Sequence, residues 1–186
     1  MAGTASSAEE PPLFVEVIGK IDAPLAAVRK TLLDLDGFGA WFPSTDEWRV
    51  LARTQESATV HGRLGLPWPV DDRDYVARYS WADTEDRGFV LEAVAVVDAA
   101  PKPADGVVRV EEMHTTWNLE PLGTETAVRY VYAGSLGGRL PDWVARIGWE
   151  MQTGILMDAL AEEVERRTAL KKSEATTNRS PPRPPR

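Results

Sequence analysis

Residues 140–170 read LPDWVARIGWEMQTGILMDALAEEVERRTAL, and this stretch decides the fold. Gly137 and Gly138 break whatever precedes it, and Pro141 stands where a first helical turn tolerates proline, because that N–H has no intrahelical partner. Leu140, Trp143, Val144, Ile147, Met151 and Ile155 recur at helical spacing and form one apolar stripe, with Asp142, Arg146 and Glu150 opposite. Further on the stripe moves. Leu156, Leu160 and Val164 share a face with Trp149, while Asp158, Glu162 and Glu165 take the earlier apolar side. A helix apolar on different sides along its length is covered from different sides or is kinked, and Gly154 is the candidate kink. At roughly 1.5 Å per residue it is about 45 Å long, so a large partner must wrap it.

Working outward, the chain supplies that partner as strands. Residues 13–21 alternate around Phe14, Val15, Val17 and Ile18 and read as a first strand. Asp22 is placed to cap a helix with Pro24 in its first turn, and Leu25, Val28, Leu32 and Leu35 form its buried stripe. Gly37 and Gly39 end it. Phe38, Trp41, Phe42 and Pro43 follow as an aromatic group that reads either as a plug for a helix–sheet corner or as a ligand contact. Residues 48–53, 58–64, 74–82, 88–98, 107–119 and 126–134 then read as six strands separated by turn-like DTEDRG, KPADG and PLGTE. Short connections favour antiparallel pairing. One strand, a helix, six strands and a long helix make an α+β layout, with one curved sheet folded around the last helix.

The totals narrow the function. With 186 residues and 43% hydrophobic content, one folded domain over residues 13–172 is expected. Residues 1–12 and the proline- and arginine-rich 173–186 read as disordered tails. No apolar run reaches the roughly 18–20 residues of a membrane span, and no signal-peptide core is visible, so a cytoplasmic location is expected. With no cysteine there are no disulfides, thiolate metal sites or cysteine nucleophiles. The net charge of −8 argues against general nucleic-acid binding. Oligomeric state stays open.

Three motifs carry a family resemblance. Leu66-Pro67-Trp68-Pro69-Val70-Asp71-Asp72-Arg73-Asp74-Tyr75-Val76 resembles the P-x-P-x-x-x-R-D-[FY]-V segment of START domains, the steroidogenic-acute-regulatory-protein-related lipid-transfer family. Thr115-Thr116-Trp117-Asn118-Leu119-Glu120-Pro121 is similar to the family's S-x-W-x-L-x-P strand end, with threonine in place of serine. Gly137-Gly138-Arg139-Leu140-Pro141-Asp142-Trp143-Val144 is similar to the G-G-x-L-P-x-W-[LV] that opens its last helix. The early Asp22-Ala23-Pro24 helix ending in Trp41-Phe42-Pro43 resembles the wider START/polyketide-cyclase (SRPBCC) superfamily. The resemblance spans about residues 14–170. It implies a helix-grip fold, an apolar tunnel between sheet and last helix, reversible binding of one lipid-like molecule for transport or sensing, and no cofactor.

Arg73 and Asp74 are adjacent on a strand and must face opposite ways. Arg73 shares parity with Tyr75, Ala77, Tyr79 and Trp81, an aromatic face suited to a tunnel wall. There it would orient an anionic or carbonyl head group, or else pair with an acid at the sheet edge. Many family members carry a second cavity arginine six positions after the first. This chain has Tyr79 there, which favours a sterol, fatty or polycyclic ligand over a phospholipid. The expected lining is Trp68, Arg73, Tyr75, Tyr79, Trp81, Leu91, Trp117, Trp143, Ile147, Met151 and Ile155. Arg166, Arg167, Lys171 and Lys172 suit the dipole at the end of the last helix, or a transient membrane-surface contact.

No catalytic or metal-ligating set is legible. His61 and His114 read as ordinary strand residues, Ser135 lacks the spacing of a nucleophile elbow, and Asp71, Asp72 and Asp74 read as an acidic turn. Three functions follow: a lipid carrier or sensor, an aromatase/cyclase that uses Arg73, Tyr79, His114 or Trp117, and a non-catalytic interaction module.

Overall fold

The computed structural model describes residues 13–97, 102–138 and 142–177, with 142–153 and 175–177 as backbone only. The elements run β1 (Leu13–Ile21), α1 (Leu25–Leu33), a 3₁₀ turn (Phe38–Ala40), β2 (Thr45–Arg53), β3 (Ser57–Leu64), β4 (Asp72–Asp83), β5 (Phe89–Ala95), β6 (Val107–Arg109), β7 (Met113–Leu122), β8 (Glu125–Gly134) and α2 (Asp142–Thr177). Seven strands lie in the order β1-β8-β7-β5-β4-β3-β2, every neighbouring pair antiparallel. The sheet curves, and together with α2 this is the expected α+β helix-grip architecture.

Alternation decides which face of β7 and β8 is buried, whereas β4 is buried on both faces from Arg73 to Ala77. On β4, Arg73, Tyr75, Ala77 and Tyr79 are buried; on β7 so are Met113, Thr115, Trp117 and Leu119; on β8, Val128, Tyr130 and Tyr132. The register sets Trp117 beside Leu91 on one side and Tyr130 on the other, so these residues line one concave face. Leu156, Leu160 and Val164 of α2 close over it, each at most 5% exposed. On β1, Gly19 lets α2 approach, because a Cβ there would stand 3.3 Å from the Met157 sulfur.

The structure revises several local expectations. Asp22 caps nothing: Pro24 occupies the N-cap of α1 without a side-chain hydrogen bond, and the Ala23 N–H donates to the Ile21 carbonyl instead. Residues 107–119 do not form one strand. β5 pairs with β4 only as far as Ala77, so the first residues of β4 lack a partner on that side. The short β6 fills the gap by pairing parallel with Asp72–Asp74, and the Val110 N–H donates to the Asp74 carbonyl at 2.8 Å. β5 ends at Ala95, and Asp98 lies outside the described residues. α2 passes through Gly154 as one helix and continues to Thr177, into the stretch expected to be tail.

Candidate functional site

Between the concave face and α2 lies a cavity of about 70 Å³. Its wall is made by Phe38 and Phe42 from the 3₁₀ turn and just beyond it, and by Leu64, Tyr75 and Tyr79 from β3 and β4. Val110, Met113, Thr115 and Trp117 line the β7 side, with Tyr130, Tyr132, Leu136 and Leu156 opposite. No lysine, arginine, histidine or carboxylate is on this wall among the described residues. Its polar side-chain groups are the hydroxyls of Thr115 and of all four tyrosines in the chain, together with the indole N–H of Trp117.

Burial controls the chemistry of those phenols. It pushes Tyr75 up to about 12, moderated by a hydrogen bond with Tyr79. Burial raises Tyr79 well above an ordinary tyrosine, and Tyr75 beside it adds to the effect. Tyr130 and Tyr132 are raised by burial and then by neighbouring tyrosines. All four are neutral hydroxyls near neutral pH, suited to donating hydrogen bonds and unsuited to acting as anionic bases. Tyr75 is held in place by what faces it. Gly62 is its partner on β3, and a Cβ there would stand 2.6 Å from the Tyr75 Cζ.

Of the residues expected on the wall, Tyr75, Tyr79 and Trp117 are there. Leu91 is fully buried in the core alongside, and Trp81 packs partly buried against that core, so neither reaches the cavity. Trp68 points away and is 93% exposed, on a turn closed by the Val70 N–H to the Pro67 carbonyl that contains the cis Trp68–Pro69 peptide. Ile155 is 49% exposed, because α2 turns Leu156 and Leu160 inward instead. The side chains of Trp143, Ile147 and Met151 lie outside the described residues.

Arg73 points inward but binds neither a head group nor an acid. Its Nε donates to the Leu136 carbonyl at 3.1 Å, its Nη2 to the Gly137 carbonyl at 3.2 Å and its Nη1 to the Asp71 carbonyl. It ties the start of β4 to the chain leading into α2, where Gly137 and Gly138 adopt φ of 67° and 68°. The wall residues that the sequence reading passed over include Tyr130, Tyr132, Met113 and Thr115. Parity could have found them: they share strand faces with Val128 and Trp117, whereas Arg129 and His114 point outward. Phe38 and Phe42 both pack the corner and reach the cavity, with Phe38 stacked on Trp48 at 4.8 Å.

On the other face of β4, Asp74 is 3% exposed and accepts Nε and Nη2 of Arg109 at 2.8 and 2.7 Å. His61 Nε2 lies 3.1 Å away. Burial alone would raise the Asp74 pKa, but the hydrogen bonds from Arg109 and His61 outweigh it and hold the carboxyl below its usual range. His114 is exposed, 3.8 Å from Glu92 and off the cavity wall. Among the described residues, no group of three or more His, Asp or Glu could hold a metal ion. No described helix is long and apolar enough to cross a membrane. Arg166 and Arg167 are not at the end of α2, which runs on to Thr177, so the expected dipole role does not hold; both pair with Glu163, and Arg167 also with Asp34 at 2.6 Å.

This fold is that of START domains, and the resemblance read from the motifs is borne out. A STAR-related lipid transfer protein from Xanthomonas axonopodis superposes with a TM-score of 0.71 at 26% identity, covering 80% of this chain and 83% of that one. Human StAR-related lipid transfer protein 5 gives 0.72 at 18% identity, over 83% and 76% of the two chains. The Zhui aromatase/cyclase from Streptomyces sp. R1128 gives 0.63 at 17% identity, over 84% and 96%, so the same fold also houses an enzyme. An uncharacterised Pseudomonas aeruginosa protein is 28% identical over 126 residues, a match spanning 67% of this chain and 62% of that protein. No family model matches the chain.

Proposed function

We propose that this protein holds one hydrophobic molecule in the cavity between sheet and α2, as a cytoplasmic carrier or sensor of a lipid, sterol or similar compound. The observation that carries this reading is the uncharged, largely aromatic wall. Apolar surface removed from water supplies the affinity at roughly 25 cal/mol per Å², so covering about 200 Å² contributes about 5 kcal/mol. A cavity of about 70 Å³ is far below the roughly 300–1,000 Å³ of ligand pockets, so loading requires the wall to move. Leu136 to Gly138, with its two positive-φ glycines, is the hinge we assign to that movement. The membrane contact considered for the end of α2 has less to offer, with Arg166 and Arg167 already paired.

Native mass spectrometry of purified protein, followed by solvent extraction, tests this. One hydrophobic molecule per chain is expected, or uptake of a nitrobenzoxadiazole-labelled sterol or fatty acid at one per chain. Apo protein that takes up neither probe refutes it. The likeness to the aromatase/cyclase supports a second reading, polyketide cyclisation. Of the four residues considered for that role, Tyr79 and Trp117 are on the wall, His114 points outward and Arg73 is committed to backbone carbonyls.

A further inference from the structure

We propose that Tyr130 is the polar anchor of the cavity, its hydroxyl donating to the carbonyl or hydroxyl oxygen of a neutral, ring-containing molecule. This rests on the hydrophobic-ligand reading and narrows it to a chemical class.

The four phenols are not equivalent. Tyr75 and Tyr79 bring their hydroxyls close enough to perturb each other. Tyr132 directs its hydroxyl to the Ser135 carbonyl at 3.5 Å. Tyr130 is 5% exposed, and its hydroxyl has no hydrogen-bond partner among the described residues. Its ring is fixed against Trp117 at 4.6 Å between centroids, so the hydroxyl is held at the wall. A hydroxyl at the cavity wall without a protein partner is free to donate to an oxygen that enters the cavity. Among the four phenols, Tyr130 is therefore the one left to donate to a ligand oxygen.

Charge and shape set the rest of the class. With no cation on the described wall, an anionic ligand would be desolvated without compensation. The Arg73 guanidinium, the nearest candidate from the sequence, is spent on the carbonyls of Asp71, Leu136 and Gly137. Phe38 and Phe42 stack at 28° and 5.2 Å, and Trp117 packs with Tyr130, so the wall offers ring faces. Ring faces favour a flat ring system over a flexible acyl chain.

Three compounds of one ring skeleton test this by isothermal titration: 2-acetylnaphthalene, 2-ethylnaphthalene and 2-naphthoate. For wild type, the ketone is expected to bind about five-fold tighter than the hydrocarbon, the worth of one neutral hydrogen bond, with the carboxylate weakest. Tyr130→Phe removes the ketone's advantage and leaves the hydrocarbon within about two-fold. His114→Gln, at an exposed residue off the cavity wall, keeps the advantage. An unchanged ketone-to-hydrocarbon ratio in Tyr130→Phe overturns the assignment, as does a carboxylate that binds best to wild type. If Tyr130→Phe does not fold, the wild-type order decides: equal ketone and hydrocarbon affinities overturn the proposal. Binding of none of the three overturns the hydrophobic-ligand reading along with it.

Discussion

Replacing Arg73 with methionine is the sharpest test of how the cavity is held. Arg73 is 2% exposed, and burial lowers its pKa against the opposing influence of Asp71 and Asp72. It nevertheless stays charged and spends its donors on the carbonyls of Leu136, Gly137 and Asp71. A hydrogen bond from a charged group is worth about 1.5–3 kcal/mol. Three of them set a gross loss near 6 kcal/mol, which relief from burying the charge offsets by several kcal/mol. A net loss of about 2–4 kcal/mol is expected. With a urea slope of about 2 kcal/mol per M, the unfolding midpoint falls by about 1–2 M with an unchanged slope. Hydrogen exchange should quicken at Ser135 to Gly138 beyond the global change, because that segment loses its tether. Arg73→Lys keeps the charge but cannot span three carbonyls, so it recovers less than half of the loss. A methionine variant within 0.5 kcal/mol of wild type, with unaltered exchange at these residues, refutes the role assigned to Arg73.

Two further substitutions probe the two faces of the sheet. The folded-state pKa of Asp74 is depressed, so its contribution is complete above the unfolded carboxylate value near pH 4 and is lost as pH falls through the lower folded value. Asp74→Asn should cost about 3 kcal/mol at pH 7 and flatten the fall in stability below about pH 4, read from urea melts across pH; an acid limb as steep as wild type counts against this. Gly62→Ala puts a Cβ 2.6 Å from the Tyr75 Cζ and 2.7 Å from its hydroxyl, at an expected cost of about 1–3 kcal/mol and several degrees of Tm by calorimetry. An unshifted Tm would show that the Tyr75 ring relaxes freely.

The architecture was legible because strand alternation and helix spacing are local and repetitive. The buried face of β4 follows from Tyr75, Ala77 and Tyr79, and the core stripe of α2 from Leu156, Leu160 and Val164. What escaped depends on neighbours distant in sequence. β6 exists because β5 stops short of the start of β4, a fact about strand lengths that Val107 and Val108 do not carry. Arg73 reads as a head-group ligand or the partner of an edge acid, because the carbonyls of Leu136 and Gly137 that engage it lie on the far side of β5 and β7 in the chain. Trp68 reads as a lining residue by composition, yet it precedes β4 on a turn where parity no longer applies. α2 runs to Thr177 because Lys171, Lys172 and Glu174 are adequate helix formers and no proline intervenes before Pro181.

The pairing of β1 with β8 also constrains how the chain acquires this shape. Leu13 lies opposite Gly134, and the buried Thr126 hydroxyl donates to the Ala23 carbonyl across 103 residues of sequence. As the chain emerges from the ribosome, β1 waits without its partner through the synthesis of β2 to β7, and its apolar Val15 and Val17 wait with it. The β2–β3–β4–β5 meander joins sequence neighbours and can form early, whereas β1 docks only when the loop closing on β8 is complete. Folding is therefore slow at its last step, and a nascent chain stalled before β8 exposes an unpaired strand to aggregation.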